Sequence, residues 1–211
     1  MTQSATLIPM GDAALLLRFS EVVSDDANRA AVALASRLAA APPEGVEEVA
    51  PGLVSVLLRL REGTDRRRLS GELMLLMGTT EPPPAATHRL AVSYDGEDIA
   101  EVAGRLGLAP DEFVALHTAR LLRVLATGFA PGFVYCGFHE AELTLPRREH
   151  VRPLVEAGTV LFAAGQTAIA ATPIRSGWHI IGRTTFQNFD ALAVPPTRLN
   201  AGDLIGFEEA R

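Results

Sequence analysis

Apolar positions in the first third of the chain fall into short runs and two helical stripes. Ala5–Met10 and Ala13–Phe19 are apolar runs split by the turn pair Gly11-Asp12, which predicts two strands. Ser24–Ala40 opens on Ser-Asp-Asp and carries alanine, valine and leucine at helical spacing, until Pro42-Pro43-Glu44-Gly45 ends it. Val46–Ala50 and Leu53–Leu60 read as strands, and Asp65–Met77 as a helix with Leu69, Leu73 and Leu76 on one face. This order suits an antiparallel sheet covered on one face by two helices.

The segment Gly78 to Thr87 holds three consecutive prolines, which stiffen the chain and interrupt regular structure. It predicts a boundary between an α/β domain over 1–80 and a second domain over 88–211. His88–Tyr94 reads as a strand, Asp98–Leu106 as a short helix, and Pro110–Thr118 as a helix opening on Pro-Asp-Glu. From Arg120 the pattern changes to short apolar runs between Gly/Pro turns: Leu121–Ala126, Phe133–Phe138, Thr159–Ala164, Thr167–Ala171, Trp178–Ile181 and Leu204–Phe207. Many short strands with such punctuation predict a compact β-barrel, so the fold class is α+β.

Composition narrows the chemistry. The net charge is −6 and the longest basic run is Arg66-Arg67-Arg68, which argues against nucleic acid or an anionic membrane as partner. Cys136 is the single cysteine, so no intrachain disulfide forms. No apolar run approaches the roughly 18 residues of a membrane-spanning helix, and no signal-peptide pattern opens the chain, so it reads as cytoplasmic. All 19 basic residues are arginine. The absence of lysine removes Schiff-base and PLP chemistry, a P-loop lysine and a biotin attachment site from this chain.

The densest candidate for function is Gly128-Phe129-Ala130-Pro131-Gly132-Phe133-Val134-Tyr135. Glycine and proline shape a rigid turn, and the aromatic residues give it a recognition surface. His117, near the end of the preceding helix, reads either as a helix-end histidine or as a polar group aimed at the barrel mouth. Gln166-Thr167 follows Ala163-Ala164-Gly165, where a ligand can approach the backbone and receive hydrogen bonds. Trp178 opens a hairpin and reads as a core anchor or a pocket wall. Arg183, and equally Arg147 or Arg148, offers a guanidinium for a carboxylate or phosphate. His139, His150 and Glu149 read as solvated loop residues, and no metal site is expected. Cys136 reads as a small buried hydrophobe.

Taken together, the segments Gly11-Asp12-x-Ala14-Leu15, His117, Gly128-Phe129-x-Pro131-Gly132-Phe133, Pro146-Arg147, Ala157-Gly158-Thr159-Val160, Gln166-Thr167, Gly177-Trp178-x-x-Ile181-Gly182-Arg183-Thr184 and Leu199-x-Ala201-Gly202-Asp203 resemble one family over nearly the whole chain. It is the KipI / PxpB family of 5-oxoprolinase components, also called allophanate hydrolase subunit 1, of the carboxyltransferase-domain type. Three departures stand out. Val134 replaces a usual proline, Leu122 a usual aromatic residue, and Ala163-Ala164-Gly165-Gln166-Thr167-Ala168 the usual Gly-Gly-Ser-Gln-Thr-Gly.

The resemblance implies a cyclophilin-like barrel in the second domain. It implies a larger homologous partner subunit (PxpC, or allophanate hydrolase subunit 2) and a third of PxpA type. Together these open 5-oxoproline to glutamate at the expense of ATP. The ATP is expected on a partner or at a shared interface, since this chain has neither lysine nor a Walker loop. On this reading His117 and Arg183 are catalytic, and Phe129, Pro131, Gly132, Phe133, Tyr135, Gln166, Thr167 and Trp178 line the substrate site. The alternative the resemblance carries is an inhibitor of a sensor histidine kinase, like KipI itself, whose apolar groove docks protein and performs no chemistry.

Overall fold

The computed structural model describes residues 5–77 and 85–210. Most of the Pro-rich stretch, residues 78–84, lies outside the described residues. The chain divides into two compact units, Met1–Pro84 and Ala85–Arg211.

The first unit is a four-stranded antiparallel sheet of order β1-β2-β4-β3, with β1 Thr6–Met10, β2 Ala14–Arg18, β3 Val46–Pro51 and β4 Ser55–Leu60. Helices α1 (Asp25–Ala40) and α2 (Arg66–Leu76) supply Leu34, Leu38, Leu69 and Leu73 to a core with Leu15, Leu17, Val56 and Leu58. Both helices start on side-chain caps: Ser24 Oγ accepts from the Ala27 N–H, and the Asp65 carboxylate accepts from the Arg67 and Arg68 N–H groups. Alternation along β4 buries Val56, Leu58 and Leu60 and leaves Leu57 and Arg59 outside.

The second unit is a curled seven-stranded sheet of order β12-β9-β10-β7-β6-β13-β5. Its strands are β5 Thr87–Val92, β6 Leu122–Thr127, β7 Val134–Gly137, β9 Thr159–Ala163, β10 Gln166–Ile169, β12 His179–Arg183 and β13 Leu204–Glu209. All pairings are antiparallel except β13 with β5. The curl brings the two edges together: Ser93, just past β5, exchanges backbone hydrogen bonds of 2.8 and 2.9 Å with Arg183 of β12. Gly96 and Gly182 are required at this seam, because a Cβ on either would lie 2.3–2.4 Å from backbone of the opposite segment. Helices α3 (Ile99–Arg105) and α4 (Pro110–Thr118) pack Val102, Ala103, Phe113 and Val114 onto the inner face of the sheet. Glu112 accepts a 2.8 Å hydrogen bond from the Ala109 N–H and fixes the start of α4.

A short antiparallel pair, β8 (Arg152–Val155) with β11 (Ile174–Ser176), lies outside the elements read from the sequence. It carries Val155 and Ile174 onto the opposite, outer face of the sheet. No helix among the described residues is long and apolar enough to cross a membrane.

Candidate functional site

Strand alternation sorts the residues of β7, β9, β10 and β12 into two sets. Val134, Cys136, Val160, Phe162 and Ile169 join the inner core. Phe133, Leu161, Ala163, Ala168, Ala170 and Trp178 join the outer cluster, with Tyr135 and Ile180 partly buried against it.

The turn ahead of β7 is closed by Gly128 N–H to Phe133 O and Phe133 N–H to Ala130 O, both 3.0 Å. Phe129 sits in the left-handed region at φ 75° and is 74% exposed. Such a conformation is uncommon for a bulky L-residue. Gly132, at φ 69°, admits no side chain: a Cβ there would lie 2.5 Å from the Cβ of Phe189. Its carbonyl accepts 2.8 Å from Asn188 Nδ2, while Pro131 remains exposed.

From this turn the aromatic rings form a ladder of edge contacts. Centroids are 5.4 Å apart for Phe129–Phe133, 4.8 Å for Phe133–Tyr135 and 5.9 Å for Tyr135–Trp178. The Arg147 guanidinium closes the ladder, with Cζ 5.6 Å from the Trp178 ring centroid.

Three polar groups on this face are left open. Arg147 makes no ion pair among the described residues, and neither the Tyr135 hydroxyl nor the Gln166 amide makes a hydrogen bond among them. Gln166 is only 8% exposed. It sits opposite Ala163 of β9 and two positions from Ala168, which pairs with Tyr135. Burial raises the Tyr135 phenol above its ordinary pKa, and the nearby Arg147 charge pulls it partly back. A phenol and a guanidinium beside one indole, with a buried amide on the same sheet face, are ingredients that could receive a small, planar, carboxylate-bearing ligand. Arg147 also borders a cleft of about 470 Å³, which it shares with Arg105, Arg148, His150, Glu101 and Glu149.

His117 lies on the other side of the sheet. It does not face an open mouth: it is 0% exposed, ringed by Phe113, Phe162 and Phe207. Nδ1 meets the Tyr94 hydroxyl at 2.8 Å and Nε2 meets Thr167 Oγ1 at 2.8 Å. Thr167 Oγ1 also meets His139 Nε2 at 2.8 Å. The result is a continuous chain Tyr94–His117–Thr167–His139. His139 is therefore a buried core residue rather than the solvated one expected from its loop setting. Loss of water, with the neighbouring His139 second, drives the His117 pKa well below 6.5; burial and then Arg120 lower His139 to about 4. Both imidazoles are neutral at pH 7.

Arg183 is 67% exposed along its side chain and pairs with Asp95 at 2.7 Å, which raises its own pKa. Cys136 is fully buried, and desolvation pushes its thiol up, away from nucleophilic character. Asp98, Glu101 and His179 place donor atoms within 4.8 Å of one another. Their charge is already compensated, since Asp98 Oδ1 takes Arg148 at 2.7 Å and Arg152 at 2.9 Å, and Asp98 Oδ2 takes the Ile180 N–H. This cluster is built as an ion-pair network rather than as a cation cage.

The carboxyltransferase domain, subdomain C and D, matches residues 5–199. The chain belongs to this carboxyltransferase-domain family. It is similar to the 5-oxoprolinase B-subunit of Bacillus subtilis (strain 168), 29% identical over 98% of this chain and 93% of the relative. It is 31% identical to the 5-oxoprolinase B-subunit of Escherichia coli O157:H7, over 97% of this chain and 96% of that one. The crystal structure of TTHA0988 superposes with a TM-score of 0.84 at 39% identity over 94% of this chain. This chain spans 40% of the length of that one.

Within this carboxyltransferase-domain chain, the structure gathers Phe129, Phe133, Tyr135, Gln166 and Trp178 on one face and adds Arg147. His117 and Thr167 lie behind that face, and Arg183 is engaged elsewhere. The residues alone leave Arg147, Arg148 and Arg183 open, and the family resemblance selects Arg183. In the structure Arg183 pairs with Asp95, 88 positions away, and Arg148 with Asp98, while Arg147 lies against Trp178. His139 and Tyr94 as partners of one relay have no local signal.

Proposed function

We propose that this chain is a subunit of a heteromeric, ATP-dependent hydrolase that opens a small cyclic amide, with 5-oxoproline the leading substrate. It acts with a larger homologous subunit. The similarity to proteins named as 5-oxoprolinase B-subunits supports the reaction class. The observation that carries the site is the placement of Arg147 and Tyr135 against Trp178, with Gln166 on the same sheet face and no ion pair or hydrogen bond to these three polar side chains among the described residues.

On this reading the Arg147 guanidinium takes the substrate carboxylate in a charge-assisted contact, whereas Arg183 pairs with Asp95. Gln166 offers an amide N–H and C=O to the lactam's own C=O and N–H. Tyr135 donates or accepts at the ring edge, and the Trp178 and Phe133 rings cover the apolar ring atoms and exclude water. ATP, held by a partner or at a shared interface, would transfer its γ-phosphoryl group to the amide oxygen, with ADP as the leaving group. Water then adds at the activated carbon, the C–N bond breaks with its electron pair leaving on nitrogen, and a second water releases phosphate. His117 touches none of these atoms. Through Thr167 it fixes β10 from behind, so that Gln166 presents its amide.

The test is 5-oxoproline-dependent ATP hydrolysis by the assembled subunits, each omitted in turn. Turnover that vanishes without this chain supports the proposal. A stable assembly that turns over ATP equally well without it contradicts the proposal.

A further inference from the structure

Residues 191–196 read Ala-Leu-Ala-Val-Pro-Pro, and all six are exposed. Leu192 and Val194 are 95% and 98% exposed, so almost none of either side chain is covered. A consecutive apolar run on a surface works against solubility and is kept where something covers it. The segment is nevertheless well formed. Asp190 N–H donates to Pro196 O at 2.9 Å, and Phe189 bridges Thr197 in antiparallel fashion. The Asp190 carboxylate caps the tip by accepting from the Leu192 N–H at 2.9 Å, and its carbonyl accepts from Ala193 N–H at 3.1 Å. A hairpin already held in shape loses little freedom on binding.

The base of this hairpin is shared with the aromatic turn. Asn188 Nδ2 donates to the Gly132 carbonyl, and Phe189 fills the space that a side chain at 132 would need. The turn so anchored carries Phe129, whose ring is left in solvent at a backbone angle that costs a bulky residue energy. Two apolar protrusions therefore rise from one footing, next to the ladder proposed to hold substrate.

We infer that the 189–197 hairpin, with Phe129, is the prong by which the companion subunit grips this chain. The inference rests on the proposed function above. In TTHA0988 the region matching this chain is joined to a larger stretch of polypeptide, since this chain accounts for 40% of its length. The occupant we commit to is a polypeptide of that kind. The chemistry it must present is an apolar groove. Between residues 189 and 197 the sole charged side chain is Asp190, and it is spent on capping the tip. Docking there would seat the companion subunit at the Phe129 end of the aromatic ladder, the end opposite Arg147.

The experiment compares the wild-type chain with the double variant Leu192→Asp/Val194→Asp for binding to the companion subunit by titration calorimetry. Thermal melting of each chain alone controls for folding. Both side chains are exposed, so melting should be unchanged while affinity falls about 30-fold or more. Equal affinity of the two chains overturns the prong and leaves the proposed function standing. Light scattering that shows the wild type alone as a dimer and the variant as a monomer reassigns the prong to a second copy and overturns the inference. A wild-type chain that does not bind the companion at all brings down the partner reading and the prong with it.

Discussion

Gln166 and Thr167 are adjacent on β10 and work on opposite sides of the sheet. Thr167 Oγ1 is held between His117 and His139 at 2.8 Å each, inside the core. Gln166, one residue earlier, leaves its amide unpartnered among the described residues, on the face of Tyr135 and Trp178. One strand thus carries both the buried relay and the open amide. The buried relay fixes the register and rotation of β10, and the next side chain inherits that rigidity.

The two arginines should behave differently in the assembled enzyme. Arg147→Ala should raise the KM for 5-oxoproline about tenfold or more, as expected for loss of a charge-assisted contact of about 1.5–3 kcal/mol. Arg183→Ala removes an exposed pair with Asp95 and should change KM by less than about twofold. Steady-state kinetics of the two variants side by side decide the assignment.

His117 should matter first for stability. His117→Ala strips a fully buried ring from among Phe113, Phe162 and Phe207 and leaves the Tyr94 hydroxyl without its partner, while Thr167 keeps His139. The cost is about 3 kcal/mol or more, combining a cavity with the unsatisfied, part-buried Tyr94 hydroxyl. Tyr94→Phe removes one hydrogen bond and should cost about 1 kcal/mol. Urea unfolding of the three proteins measures both.

Acid should find the same relay. The unfolded chain protonates histidine near 6.5, whereas folded His139 holds off until about 4, because burial and Arg120 both oppose the charge. Stability is then complete above pH 6.5 and declines as the pH falls toward 4. Between about pH 7.5 and pH 5 the His139 contribution should fall by about 2 kcal/mol. His117, depressed in the same direction, adds to the decline. Unfolding free energies at the two pH values, for the wild type and His139→Gln, check the sign, since the loss should shrink in the variant.

The aromatic turn can be probed through its glycines. Gly132→Ala would force a Cβ to 2.5 Å from Phe189 and 2.9 Å from Ala171 at φ 69°, whereas nothing lies within 4 Å of a Cβ at Gly128. Gly132→Ala should cost more than about 2 kcal/mol and Gly128→Ala about 1 kcal/mol, the latter from backbone alone. Thermal or urea denaturation separates the two.

Much of this architecture is legible in the chain. Ser24, Asp65 and the Pro110-Asp111-Glu112 start mark three helices, and alternation along Ser55–Leu60 marks a half-buried strand. The β8–β11 pair is hidden because β8 holds Pro153, which argues against a strand, and leaves Leu154 exposed. The Gly-Phe turn points to a site without revealing its face. Gln166 and Thr167 look like one motif in the sequence, although strand alternation alone separates them. The resemblance points to Arg183, but its pairing with Asp95 has no local signal, because Asp95 reaches Arg183 only once the sheet has curled and its edges have met.

Trp178 is the single tryptophan of the chain, which makes it a private reporter of the proposed site. The most direct measurement labels this chain with 5-fluorotryptophan, reassembles it with its companion subunits and follows the ¹⁹F signal as 5-oxoproline is added. The account predicts a saturable shift in the wild type that is lost in Arg147→Ala and kept in Arg183→Ala. A signal that does not move while the assembly turns over 5-oxoproline would place the substrate elsewhere and contradict the account.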